Sequence, residues 1–295
     1  MQIEKNIVEK FIALPQGNTR YQLCSSPASS SQWVVFVHGM SYPLEVWAPI
    51  QQYAARYYQT LSFDLYGRGK SSFLGSILSP TLLMEQIIAL LDHCAIQSPV
   101  HLVSLSNSDW TLLKMAKDHP HRIQSIGLIS PSGLDPRTHN VWMRVFSHFT
   151  WLHRLLAKKL IDRICTRMQQ HLHQAQSNYE SIYTHAQVCV RNNPDFVAAF
   201  WAQVANMPTQ KQAGNLCANI SKEIPFRSFR FAEEYDIDST SLTVFTLIEH
   251  SSIHTFAKGT HMALLENPKQ VWEALQSFWQ TVEQQENNIN VRTNR

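Results

Sequence analysis

Apolar positions along the chain gather into short runs separated by turn-forming residues, and the spacing within each run predicts its element. Val8 to Leu14 and Thr19 to Leu23 are β-prone runs on either side of Pro15-Gln16-Gly17-Asn18, which predicts an opening hairpin. Ser25 to Ser31, rich in Ser, Pro and Ala, is a loop. Trp33 to Val37 is continuously apolar, as expected of a strand buried on both faces of a mostly parallel sheet. Glu45 to Tyr58 repeats apolar residues at helical spacing, Thr60 to Phe63 is another buried strand, and Leu82 to Leu91 another helix. Val100 to Val103 is a strand, Ser106 to Lys117 a helix, and Ile126 to Ile129 a strand closed by Ser130-Pro131-Ser132-Gly133. Strand and helix alternating at this pace predict an α/β class with a parallel sheet covered by helices on both faces.

The alternation breaks after Asp135. From there to Ile224 the segments are helical and rich in Trp, Phe, His and basic residues, so 135–192 is expected to be a helical insertion. Residues 1–134 and 193–295 then form the first and second parts of the core, with Phe196 to Val204 rejoining it as a helix. Phe226 to Phe231 and Ser252 to Phe256 are strands, Leu242 to Ile248 is helical, and Val271 to Val282 is a last amphipathic helix. The polar tail from Glu283 is expected to fray.

Composition narrows the function classes. A chain of 295 residues with 44% hydrophobic content supports a sizeable core. The net charge of +3 is too mild for a nucleic-acid partner. The fourteen histidines are scattered; His171-Leu172-His173, beside Gln169, Gln170 and Gln174, reads as a polar helix surface. Five cysteines far apart, without Cys-x-x-Cys, favour reduced thiols and a cytoplasmic protein. No window reaches the roughly 18 apolar residues of a membrane span, so a soluble, unprocessed protein is expected.

Candidate chemistry centres on Ser104-Leu105-Ser106-Asn107-Ser108, where the strand gives way to the helix. A nucleophile at such a turn needs small neighbours two residues away on either side, usually Gly-x-Ser-x-Gly; here serines stand at both positions. His38-Gly39-Met40, Asp64-x-x-Gly67-x-Gly69-x-Ser71, the turn at Ser106 and Thr260-His261-x-x-x-x-Glu266-x-Pro268 follow predicted strands in order. Together they resemble the α/β-hydrolase superfamily, in its serine-nucleophile branch with a helical cap, over nearly the whole chain except the insertion. The resemblance implies an α/β-hydrolase fold and the chain order serine, acid, histidine.

Ser106 needs a base to take its proton, and a histidine titrating near neutrality supplies one, making His261 the candidate. The acid must orient the imidazole from the carboxyl end of a strand. Asp236 resembles the family's acid; Asp238 suits a helix cap, Asp135 is the position of a minority of relatives, and Glu233 and Glu234 read as too early in the turn. By resemblance the backbone N–H groups of Met40 and Asn107 form the oxyanion hole, worth about 3 kcal/mol per donor, and Ser41 could add a hydroxyl. The glycine-rich loop after Asp64 lacks the spacing of a phosphate-binding loop and reads as a tight structural turn.

A serine nucleophile argues against the Asp-based dehalogenases and epoxide hydrolases of this superfamily. The expected reaction is cleavage of a small-molecule carboxylic ester through an acyl-enzyme, without cofactor or metal, as in carboxylesterases and monoacylglycerol-lipase-like relatives. C–C hydrolysis, perhydrolysis and a non-catalytic binding protein on the same fold are the alternatives. In relatives the cap lines the acyl pocket; Trp142, Phe146 and Phe149, at helical spacing, either do so here or bury the cap on the core. Arg154, Lys158, Lys159, Arg163 and Arg167 read as a solvated face or, from a resemblance to pimeloyl-acyl-carrier-protein methyl ester esterases, as a docking patch for an acyl carrier protein.

Overall fold

Residues 7–26, 31–132, 145, 149–175, 178–234 and 246–293 are described by a computed structural model. The opening runs form a hairpin, β1 (Ile7–Leu14) and β2 (Gly17–Cys24). The buried apolar runs become β3 (Trp33–Val37), β4 (Gln59–Phe63), β5 (Val100–Leu105), β6 (Ile123–Ile129), β7 (Phe226–Phe231) and β8 (Ser251–Phe256). They make an eight-stranded sheet in the order β1-β2-β4-β3-β5-β6-β7-β8. The hairpin and the β2–β4 pair are antiparallel, and every pair from β4 to β8 is parallel.

Helices cover both faces, as the two-sided burial of β3 and β5 requires. On one face α2 (Pro80–His93), α3 (Asp109–Asp118) and, through Ala213 and Cys217, α7 (Gln210–Cys217) close a core around Val35, Leu61, Leu102 and Ile126. On the other, α1 (Ala48–Ala54), α8 (Ala263–Glu266) and α9 (Pro268–Thr293) cover Val34, Phe36, Val103 and Phe229. Three helices follow the break in alternation: α4 (Thr150–Ala175), α5 (Glu180–Asn192) and α6 (Phe196–Ala205). They join the second face through Cys165, Met168, Tyr183, Phe196 and Phe200.

Several local expectations change. The run from Glu45 starts as a 3-10 turn, Leu44–Trp47, and its α-helix ends at Ala54. Thr246 to His250 forms turns and a bend, while 242–245 lies outside the described residues. The last helix does not stop at Val282 but runs to Thr293. Glu283 accepts a hydrogen bond from the Tyr58 hydroxyl at 3.0 Å and lies 3.4 Å from His101 Nε2, which fastens the helix beyond its apolar stripe.

The glycine-rich loop after β4 is organised by Asp64. Its carboxylate accepts from the N–H groups of Leu44 (2.8 Å) and Lys70 (2.9 Å), and Arg20 lies 3.3 Å away. Gly69, at φ 52°, leaves room for that carboxylate, because a Cβ there would stand 2.2 Å from it. Arg20 also meets Glu9 and Glu45, each at 2.6 Å. Burial opposes the Glu9 charge, but the hydrogen bond and charge of Arg20 prevail and hold its pKa at about 2.

Candidate active site

The register of the parallel strands brings the chemistry-bearing residues to one edge. Val37 pairs with Ser104, and Leu105 with Ile129, so Gly39 and Ser130 come level with Ser106 just beyond the carboxyl ends of β3 and β6. Ser106 has φ 57°, a strained conformation for a residue with a side chain. The chain continues as a 3-10 turn, Ser106–Ser108, before α3. A Cβ on Gly39 would stand 3.1 Å from the Ser106 Cβ, so His38-Gly39-Met40 lies directly against the serine.

The two serines flanking Ser106 behave differently. Ser108 Oγ donates to the His38 carbonyl at 2.5 Å and stitches the elbow to the β3 loop. Ser104 Oγ is buried and has no hydrogen-bond partner among the described residues. His38 is itself fully buried. Its Nδ1 lies 2.7 Å from the Gly39 carbonyl and its Nε2 accepts from Leu65 N–H at 2.9 Å, the pattern of a neutral ring. Burial, only partly offset by the Gly39 hydrogen bond, pushes its pKa down to about 3.

Across from the elbow, the Ser106 hydroxyl lies 3.0 Å from His261 Nε2 and 2.9 Å from Ser132 Oγ. A hydroxyl has one proton and two lone pairs. Ser106 can therefore donate to His261 while accepting from Ser132. The loop carrying His261 is tied down by Glu266, whose carboxylate accepts from Thr260 N–H at 3.0 Å and from the Thr260 hydroxyl.

The other ring nitrogen, Nδ1, faces Glu234 Oε1 at 3.4 Å. Neither atom has a hydrogen-bond partner among the described residues, so each buried group lacks what the other offers. Leaving both unpaired would cost about 1–3 kcal/mol each. The other Glu234 oxygen accepts from Phe231 N–H at 3.2 Å, which aims the carboxylate back over the strand end.

No protein-family model matches the chain, and no curated protein matches it in sequence. Solved structures do match in shape. An esterase from Thermogutta terrifontis superposes with TM-score 0.77 at 15% identity, covering 93% of this chain and 99% of that one. The enol-lactonase from Burkholderia xenovorans LB400 gives TM-score 0.73 at 14% identity, with coverage of 92% and 100%. A hydrolase from Pseudomonas aeruginosa PA01 gives 0.73 at 17%, with 92% and 98%. The chain has the α/β-hydrolase fold.

Within that α/β-hydrolase fold the residues singled out from sequence divide into three groups. Ser106, His261, Met40 and Asn107 lie at the carboxyl edge of the sheet around the elbow. Asp236, Asp238, Asp135, Trp142 and Phe146 lie outside the described residues. Phe149 is described and is 45% exposed.

Three residues at the site were not selected from sequence. From sequence, Glu234 reads as too early in its turn. That turn closes at once, with Glu234 N–H returning to the Phe231 carbonyl at 3.2 Å, so a side chain three residues past the strand already reaches His261. Ser132 follows the strand next to β5, and its position in the sheet order is the signal that could have found it. His171 does not belong to a polar surface: it is 7% exposed, its ring lies 6.1 Å from that of His261, and Tyr42 Oη is 3.3 Å from its Nδ1. It continues a buried stripe with Cys165 and Met168 at three-residue spacing.

Among the described residues no group of His, Cys, Asp and Glu has the arrangement of a metal site, and no helix is long and apolar enough to cross a membrane. All five cysteines are free thiols, and burial raises the pKa of each.

Proposed function

We propose that this chain is a serine hydrolase cleaving carboxylic esters through an acyl-enzyme, with Ser106 as nucleophile, His261 as base then acid, and Glu234 as the residue orienting it. The observation that carries the reading is the 3.0 Å approach of Ser106 Oγ, on strained backbone, to His261 Nε2, with Glu234 facing the opposite ring nitrogen. Ser106 attacks the ester carbonyl while Nε2 takes its proton. The tetrahedral oxyanion is held by the N–H groups of Met40 and Asn107, and its collapse releases the alcohol with the proton returned from His261. Water then enters through the same base, the acyl–oxygen bond breaks, and the free acid leaves. The imidazolium formed along the way pairs with Glu234, a carboxylate whose burial is costly without a cation nearby.

Labelling with a fluorophosphonate and hydrolysis of p-nitrophenyl esters test the reading. Ser106→Ala is expected to abolish both with the fold intact, and Glu234→Gln to lower kcat about ten-thousandfold. A wild type that neither labels nor hydrolyses short esters would overturn the enzyme and leave a binding protein. If Asp236→Asn rather than Glu234→Gln removes activity, the acid moves to Asp236.

The finer expectation, an ester delivered on an acyl carrier protein, is supported by the solvent-facing Lys158, Lys159 and Arg163 of α4. Lys158→Glu with Arg163→Glu is expected to raise KM for a carrier-linked ester several-fold while leaving a free ester unchanged. Equal behaviour of both substrates would remove the carrier.

A further inference from the structure

Arg68 is fully buried, and among the described residues no carboxylate pairs with it. Its acceptors among the described residues are neutral. Nε donates to the Met40 carbonyl, Nη1 lies 3.4 and 3.3 Å from the carbonyls of Tyr66 and Gly67, and Nη2 donates to Gln203 Oε1 at 2.9 Å. Gln203 passes the connection on, since its Nε2 donates to Asn107 Oδ1 at 3.0 Å. One continuous chain of hydrogen bonds therefore runs from Met40 through Arg68 and Gln203 to Asn107.

A buried guanidinium without an anion is a poor way to stabilise a fold, because desolvation is not repaid by charge pairing. Neutral carbonyls do use its other property, a planar fork of donors in fixed geometry. We infer that Arg68 and Gln203 are positioning residues that hold the two oxyanion-binding residues, Met40 by its carbonyl and Asn107 by its side chain, at a fixed separation, so that the oxyanion hole is complete only when α6 is docked. The inference rests on the serine-hydrolase reading above.

The docking is specific to one face of α6. Phe196, Ala199 and Gln203 recur at helical spacing. The Arg68 guanidinium lies over the Phe196 ring at 5.1 Å, and the Ala199 methyl closes on Gly67, where a Cβ would stand 2.3 Å away. Just upstream, Asn193 Nδ2 donates to the carbonyls of Gly69 (3.1 Å) and Ser71 (2.9 Å), and Asp195 accepts from Phe73 N–H at 2.9 Å. The helix that follows the insertion is thereby fixed to the loop that carries Arg68. Oxyanion donors stabilise charge only if they are held before it develops, so small drifts of Met40 against Asn107 act on kcat rather than on ground-state binding.

The test uses Gln203→Leu, Gln203→Glu and Arg68→Met in the full chain, after the wild type has been shown to label with a fluorophosphonate. Gln203→Leu is expected to lower kcat for a p-nitrophenyl ester at least about tenfold with KM nearly unchanged, the range of losing part of one oxyanion donor. Affinity for a boronic acid that mimics the tetrahedral state should fall in parallel, while affinity for the product acid should not. Gln203→Glu separates positioning from packing: it pairs with Arg68 and should keep or raise the melting temperature, yet it cannot donate to Asn107 and should lose kcat. Wild-type kcat and boronate affinity in both Gln203 variants would overturn the inference whether or not Arg68→Met folds. A wild type that does not label overturns the serine-hydrolase reading, and this inference with it.

Discussion

Among the described residues two arginines are buried, and they are held in opposite ways. Arg20, on the opening hairpin, is surrounded by charge: Glu9 and Glu45 at 2.6 Å and Asp64 at 3.3 Å. Arg68, on the loop after β4, meets carbonyls, an amide and an aromatic face. Burial opposes both charges. For Arg20 the carboxylates overcome it and its pKa rises, whereas for Arg68 it dominates and the pKa falls to about 9. A paired buried cation is mutual neutralisation, which belongs to the fold. An unpaired one whose three nitrogens each reach a neutral acceptor is geometry, which belongs to the site.

The sharpest test of this contrast is on stability. Arg20→Met strips the cation from a fully buried Asp64, and breaking a buried pair from one side costs about 3–5 kcal/mol. Urea denaturation should show that loss, with kcat of the remaining folded protein unchanged. Arg68→Met should behave in reverse, losing about 1–2 kcal/mol, as expected when neutral acceptors lose a donor, but losing most of kcat. If the two variants lose stability equally, the contrast fails.

A smaller effect lies in acid. The Glu9 carboxyl, held at about 2, is lowered from its unfolded value of 4.5, so its contribution is present above pH 4.5 and disappears as pH falls toward 2. Asp64, raised by burial to about 6 despite Arg20, has the opposite sign: its cost grows as pH rises from 3.8 to 6. Below pH 3.8 the Glu9 slope is therefore read with least interference. Wild-type stability should drop there more steeply than that of Arg20→Met, as urea midpoints against pH would show; equal slopes would detach Glu9 from Arg20.

The sheet was legible because its central strands are buried on both faces and so are mostly apolar runs bounded by turns. Trp33–Val37 and Val100–Leu105 need no partner to be recognised, and order along the chain then places Ser106 and His261 at one edge. The carboxylate that faces His261 was not legible by spacing. Whether a carboxylate two, three or five residues past β7 reaches the histidine depends on how tightly the turn closes and on where His261 lies, and the second is a tertiary fact. His171 was hidden differently. Its glutamine neighbours mark a solvated surface, and only the buried stripe through Cys165 and Met168 shows which face it joins. The link from Arg68 to Asn107 through Gln203 joins residues 135 positions apart and leaves no local trace.

The attachment of Asn193 and Asp195 to the loop after β4 also fixes where this protein can be recombined. An exchange of the helices between β6 and α6 with those of another α/β-hydrolase fold has its natural splice point at Asn193 rather than at the end of the helical region. A graft carried through 203 would import a foreign latch along with the foreign helices. One ending at 192 would leave the host's latch in place.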